Sequence, residues 1–191
     1  MHEISAFILA GGKSTRMGQD KAFVKLQNQT MLARALQLAR TVSTEVKIVG
    51  SAEKFSAHAP TIEDLFPDRG PLAGIHAALK NSHTVLNLIL AIDLPFMDTA
   101  FLQHLIKQAR ASKALVTIPR CAGGWQPLCA VYRREFAAAA ENALREGHNK
   151  IDPLFAKVPT QVIPDSDLLE LGLSAEIFRN INTPEDFSQA Q

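Results

Sequence analysis

The stretch Ile4-Ser5-Ala6-Phe7-Ile8-Leu9, running into Ala10-Gly11-Gly12-Lys13-Ser14-Thr15-Arg16-Met17-Gly18, decides the fold class. A short apolar run ending at glycines reads as a buried β-strand, and the polar, glycine-rich segment after it as a loop. Downstream, Met31 to Arg40 places Leu32, Leu36 and Ala39 on one face of a helix, with Asn28 or Thr30 as its start signal. Glu45 to Gly50 reads as a second strand. Pro71 and Gly74 lead into a further helix, with proline in its first turn. Val85 to Ile92 is almost continuously apolar, as expected of a central parallel strand covered on both faces. Thr99 to Arg110 supplies a helix, Leu115 to Pro119 and Leu128 to Tyr132 two strands. Glu135 to Glu146 is an alanine-rich helix stopped by Gly147.

Strand, loop and helix alternate through at least the first 110 residues, the pattern of an α/β domain with a mostly parallel sheet. In such sheets ligands gather beyond the carboxyl ends of the strands, near a switch in strand order. The Gly11 to Lys21 segment and Asp93 both follow strand ends.

Two familiar phosphate loops are excluded. Gly12-Lys13-Ser14 matches the end of a P-loop, but Phe7 stands where that motif needs its first glycine. No glycine triplet has the G-x-G-x-x-G spacing of a dinucleotide fingerprint. What remains is a strand entering a double glycine, followed by Lys13, Arg16 and Lys21. Adjacent glycines let backbone N–H groups approach phosphate oxygens, and Arg16 and Lys21 can neutralise their charge. The same residues would also serve in a tight surface turn beside solvated cations. Asp93, between an apolar strand and Leu94-Pro95, is placed to hold a hard cation; Asp at such a position equally forms turns or helix caps.

Composition bounds the rest. At about 150 residues per domain, 191 residues argue for one domain. A net charge of +1 argues against a broad electrostatic grip on nucleic acid, while leaving room for one small anion. No run reaches the roughly 18 apolar residues of a membrane span, and the N-terminus lacks a basic signal-peptide region. Cys121 and Cys129 lack zinc-knuckle spacing, and the histidines form no ligand motif. A cytoplasmic protein with reduced cysteines, bound to neither nucleic acid nor membrane, is the expectation.

Leu9 to Lys21 (LAGGKSTRMGQDK) resembles the signature of the nucleotidyltransferases that attach a nucleotide to molybdopterin, most closely the molybdenum cofactor guanylyltransferases. Further blocks occur in that family's order. They are Ile62-Glu63-Asp64 with Gly70-Pro71-Leu72-Ala73-Gly74, Asp93-Leu94-Pro95-Phe96, Gln126-Pro127-Leu128 with Ala130-Val131-Tyr132, and Asn180-Ile181-Asn182-Thr183-Pro184-Glu185-Asp186.

The resemblance implies a three-layer α/β/α, Rossmann-like fold of the nucleotide-diphospho-sugar transferase kind. It implies one domain over residues 1–191, with a nucleotide and metal site in about 1–110 and an acceptor site completed by about 111–191. Leu9, Ala10, Gly11, Gly12, Lys21, Asp64 and Asp93 would bind nucleotide. Arg16, Lys21 and Asp93 would act in catalysis, and Asp93 would hold Mg2+. Trp125, Asn180 and Asn182 are candidates on the acceptor side, with Arg120, Arg179 and Lys150 as further phosphate contacts. A core-packed Trp125 is the alternative for that residue. Val49-Gly50 stands where the family often offers an asparagine.

The implied reaction is transfer of GMP from GTP to the molybdopterin cofactor, releasing pyrophosphate. A small GTP-binding accessory protein and molybdoenzyme chaperones are the implied partners. Competing readings are a cytidylyltransferase for the same cofactor, a sugar-phosphate nucleotidyltransferase, and a non-catalytic nucleotide-binding domain.

Overall fold

Residues 4–11, 20–121, 124–181 and 186 are described in this computed structural model. The opening strand β1 (Ile4–Leu9) is buried at every position. Its side chains alternate between two cores: Ile4, Ala6 and Ile8 point to one, Phe7 and Leu9 to the other. Burial on both faces explains why the strand reads as an uninterrupted apolar run.

A hairpin of β2 (Lys25–Leu26) and β3 (Gln29–Thr30) follows. Gln27 and Asn28 both take positive φ in its two-residue turn, at 50° and 66°. The start signal for helix α1 (Met31–Arg40) is therefore Thr30 and not Asn28; the Thr30 hydroxyl accepts from the Ala33 amide at 3.1 Å. Strand β4 (Glu45–Val49), the single turn α2 (Ala52–Phe55) and the two-residue β5 (Thr61–Ile62) come next. Helix α3 (Pro71–Lys80) begins at Pro71, so Gly74 lies inside its first turn. Gly70 precedes it at φ 71°, a conformation that favours glycine.

Strand β6 (Leu86–Ala91) pairs in parallel with β1 on one side and antiparallel with β9 (Cys129–Arg133) on the other. The expected all-parallel setting of this strand is thus half right. Helix α4 (Thr99–Ala111) leads to β7 (Val116–Cys121), to which the short β8 (Gly124–Trp125) and β9 pair antiparallel. Helix α5 (Phe136–Arg145) ends at Gly147, whose φ is 81°. β10 (Thr160–Pro164) pairs in parallel with β7, and α6 (Asp165–Glu170) follows it.

The eight-stranded sheet runs β10-β7-β9-β6-β1-β4-β5, with β8 on β7. Helices α1 and α4 pack one core against one face; α3 and α5 pack the second core against the other. The result is a three-layer α/β/α sandwich with a largely parallel sheet. Asn87, the polar interruption in β6, is fully buried. Its amide nitrogen donates to the Tyr132 carbonyl at 3.2 Å, and its oxygen accepts from the Ser82 hydroxyl. No helix among the described residues is long and apolar enough to cross a membrane.

Candidate active site

The chain passes from β1 outward through β4 to β5, then returns to place β6 on the other side of β1. That reversal makes the carboxyl ends of β1 and β6 the switch point, where two loops diverge and leave a crevice. The Ala10 amide donates to the Val49 carbonyl at 3.0 Å, and the Ile92 amide to the Leu9 carbonyl at 3.3 Å. Strand ends, and not side-chain packing alone, therefore fix the crevice floor. A cavity of about 720 Å³ opens there, a size suited to a nucleotide-sized ligand.

Leu9, Ala10 and Gly11 line one wall, Ala91, Ile92 and Asp93 another, and Asp64, Gly70, Pro71 and Gly74 a third. Lys21 enters from a single turn of 3₁₀ helix, Lys21–Phe23, capped by the Asp20 side chain. Although buried, its Nζ lies 2.9 Å from Asp93 Oδ2. An ammonium and a carboxylate so placed, each mostly shielded from water, form a charge-assisted contact at the cavity wall.

Asp64 is less well satisfied. Its Oδ1 is buried without a hydrogen-bond partner, and burial pushes the carboxyl above its usual range. A Cβ at Gly74 would stand 3.6 Å from that oxygen and 3.4 Å from a Leu9 methyl. Both are ordinary van der Waals distances, so the helix packs on the strand here without crowding Asp64. Lone oxygens of this kind accept hydrogen bonds from whatever donor enters the cavity.

Five of the sequence-predicted nucleotide residues, Leu9, Ala10, Gly11, Lys21 and Asp64, thus meet Asp93 in one cavity. Gly12, Arg16 and Asn182 lie outside the described residues. Asn180 is exposed, but the next residue ties its segment to the site: the Ile181 amide donates to the Asp93 carbonyl at 3.2 Å.

Trp125 is not among the residues lining the cavity. It packs on Phe155 with ring centroids 5.2 Å apart, and the Arg120 guanidinium lies 5.0 Å from its ring centroid. Arg179 lies over the Phe96 ring at 5.2 Å, next to the Asp93 loop, while Lys150 is exposed.

Two acidic residues join the cavity lining beyond those assigned to nucleotide binding, Asp20 and Asp68. The sequence does not single out Asp20, because its residue type signals only a cap or turn. Its Oδ1 does accept from the Ala22 amide at 3.1 Å, and its Oδ2 also pairs with Lys54 Nζ at 2.7 Å. Its place beside Lys21 in the glycine-rich stretch was the available signal.

Magnesium is characteristically held by one or two protein carboxylates together with phosphate oxygens and water. Among the described residues no three His, Cys, Asp or Glu side chains form a metal-holding group. Asp93 supplies one hard oxygen donor at the cavity wall, a donor set that fits a magnesium ion shared with phosphates.

A crevice at the carboxyl ends of the strands, at the switch in strand order, places this molecule in the class of α/β proteins with a ligand cavity at that position. More narrowly, the chain belongs to the MobA-like NTP transferase domain family, which residues 6–162 match. It is 32% identical over 194 residues to the molybdenum cofactor guanylyltransferase of Desulfosudis oleivorans, an alignment covering 100% of this chain and 96% of that protein. The crystal structure of molybdopterin-guanine dinucleotide biosynthesis protein A from Archaeoglobus fulgidus superposes with a TM-score of 0.86 at 30% identity, covering 97% of this chain and 96% of that one. The fold alone is shared with CMP:2-keto-3-deoxy-manno-octonic acid synthetase, at a TM-score of 0.76 and 11% identity over 98% of this chain and 96% of that one. Family and fold are those of nucleotidyltransferases.

Proposed function

We propose that this protein transfers GMP from GTP to the terminal phosphate of the molybdopterin cofactor, forming the guanine dinucleotide cofactor and pyrophosphate. The observation that carries the reading is the meeting of Lys21, Asp93 and Asp64 in one switch-point cavity, in a chain whose relatives of full length are guanylyltransferases of that cofactor.

An oxygen of the acceptor phosphate attacks the α-phosphorus of GTP. The bond from that phosphorus to the bridging oxygen breaks, and pyrophosphate leaves with the electron pair. The attacking oxygen is already an anion, so no strong general base is required, and the work of the site is alignment and charge stabilisation. The walls from β1 and α3 hold the nucleoside, and Asp64 accepts a hydrogen bond from one of its donors. Lys21, released from Asp93 as phosphates arrive, donates to phosphate oxygens. Asp93 would hold the magnesium ion, whose chemistry there is to neutralise phosphate charge and draw electrons from the α-phosphorus. The Asn180–Ile181 segment, bonded to the Asp93 carbonyl, borders the acceptor side.

The test is magnesium-dependent pyrophosphate release with GTP, CTP or UTP and molybdopterin as acceptor. Turnover with GTP that exceeds the other two supports the reading. Preference for CTP changes the base, and turnover only with a sugar phosphate overturns the cofactor assignment. Tight GTP binding without turnover points to a binding domain.

A further inference from the structure

Residues 63–70, between β5 and α3, carry Asp64 and Asp68 to the cavity. The segment is tethered at its ends. Glu63 Oε1 accepts from the Ala52 amide at 3.1 Å, and Gly70 turns the chain into α3. Between those points Leu65 is 59% exposed, while Phe66 packs against the core on the α3 and α5 side. Phe66 meets the ring of His76 edge-on, with centroids 5.2 Å apart and an interplanar angle of 69°.

We propose that His76 is a positioning residue for the nucleotide site, acting as the abutment that holds Phe66 and, through it, the segment bearing Asp64. This rests on the reading of the cavity as a nucleotide site. His76 itself lines no part of the cavity; it sits one helical turn below the Pro71–Gly74 wall, on the buried face of α3.

The ring is only 2% exposed, and neither of its nitrogens has a hydrogen-bond partner. Its Nε2 faces Glu141 Oε2 on α5 at 3.5 Å, longer than a good hydrogen bond. That carboxylate is already occupied. Arg145 donates to its other oxygen at 2.7 and 3.1 Å, and Lys80 Nζ lies 3.5 Å from Oε2. A buried imidazole among two cations and a phenyl ring serves as packing, and a proton on it is poorly compensated. Burial accordingly outweighs the attraction of Glu141, and the ring titrates below the usual histidine range. The β1 and β4 strands beneath α3 contribute apolar Phe7, Leu9 and Val49 to the same core. The charged groups facing the ring are therefore Glu141, Lys80 and Arg145.

The test uses the full chain with His76→Ala, which removes the abutment, and His76→Phe, which keeps an apolar ring and removes the titration. Amide hydrogen exchange of residues 64–69 is read without nucleotide, and KM and kcat for GTP are read at about pH 7.5. His76→Ala is expected to speed exchange in that segment selectively and raise KM for GTP about tenfold, with kcat within about twofold. His76→Phe, which keeps an aromatic ring against Phe66, is expected to restore both. Unchanged exchange in His76→Ala, or faster exchange spread evenly through the protein, overturns the proposal. The exchange arm holds whether or not GTP is the substrate, so failure of the nucleotide reading shows separately as absent GTP turnover and binding.

Discussion

Lys21 and Asp93, 72 residues apart in the chain, bring Nζ and Oδ2 to 2.9 Å at the wall of the cavity. One comes from the turn after the glycine-rich stretch, the other from just past the end of β6, so the contact ties two separate segments of the cavity wall together. Both groups are mostly shielded, with side-chain exposures of 11% and 23%. Removing either partner leaves a poorly compensated charge beside the substrate. Lys21→Met is expected to lower pyrophosphate release by about a hundredfold or more, the scale of losing one charge-stabilising donor. A rate within threefold of the unmodified protein, measured at saturating GTP, would remove Lys21 from the reaction.

Asp64 is held at a cost, because its buried Oδ1 has no partner. Burial raises its carboxyl pKa, so the folded state takes up a proton more readily than the unfolded chain. The resulting penalty is fully present above the raised folded value and is relieved as pH falls through it towards the unfolded value. Asp64→Asn therefore gains stability at neutral pH while weakening GTP binding. Urea unfolding and calorimetric titration of the same variant check both halves; a variant that is less stable and binds GTP normally contradicts the assignment.

Gly50 closes β4 against the aromatic ring that supports the Lys21 turn. A Cβ at position 50 would lie 2.9 Å from Phe55 Cε2 and 3.0 Å from Cδ2. Phe55 in turn stacks on Phe23 at a centroid distance of 6.0 Å, and Phe23 belongs to the turn that carries Lys21. Gly50→Ala should cost about 1–3 kcal/mol through overpacking. Adding Phe55→Leu should recover part of that loss in a thermal melt, and a double variant no better than the single one would place the strain elsewhere.

Neither cysteine is built for chemistry. Burial first, and then the nearby Asp165, pushes the Cys121 thiol up to about 12, and the fully buried Cys129 thiol is raised by burial as well. Both should resist a thiol reagent at about pH 8 in the native protein and react on unfolding. Rapid native labelling of either, followed by mass spectrometry, would contradict the buried placement.

The sequence is most informative where local pattern and burial coincide. β1 and the β6 core read as strands because both faces are covered, and α1 and α5 read as helices because their caps and stops are local. The reversal at β9 is not legible, since Cys129–Arg133 has the same apolar pattern whichever way it runs. Its direction is set by partners far along the chain, β6 and β7. Asn87 looks like a break in an apolar run, yet partners on both sides satisfy it within the strand. The glycine-rich stretch and Asp93 stand out by their place at strand ends, while Asp64 is picked out only by the family resemblance, because the two-residue β5 before it leaves no pattern to read. Asp20 is hidden because capping, pairing with Lys54 and lining a cavity leave one indistinguishable mark in a sequence. Trp125 reads two ways beforehand, as an acceptor-side ring or a core-packed one, and its contact with Phe155 is made by a residue 30 positions on that no local pattern announces.

The most direct measurement of the central claim follows label from α-phosphate-labelled GTP into molybdopterin, with unmodified protein and with Asp93→Ala. The account predicts magnesium-dependent transfer of labelled GMP to the acceptor by the unmodified protein, reduced by at least about a hundredfold in Asp93→Ala. Labelled GMP transferred equally well by Asp93→Ala, or no label on molybdopterin from a protein that binds GTP, would contradict it.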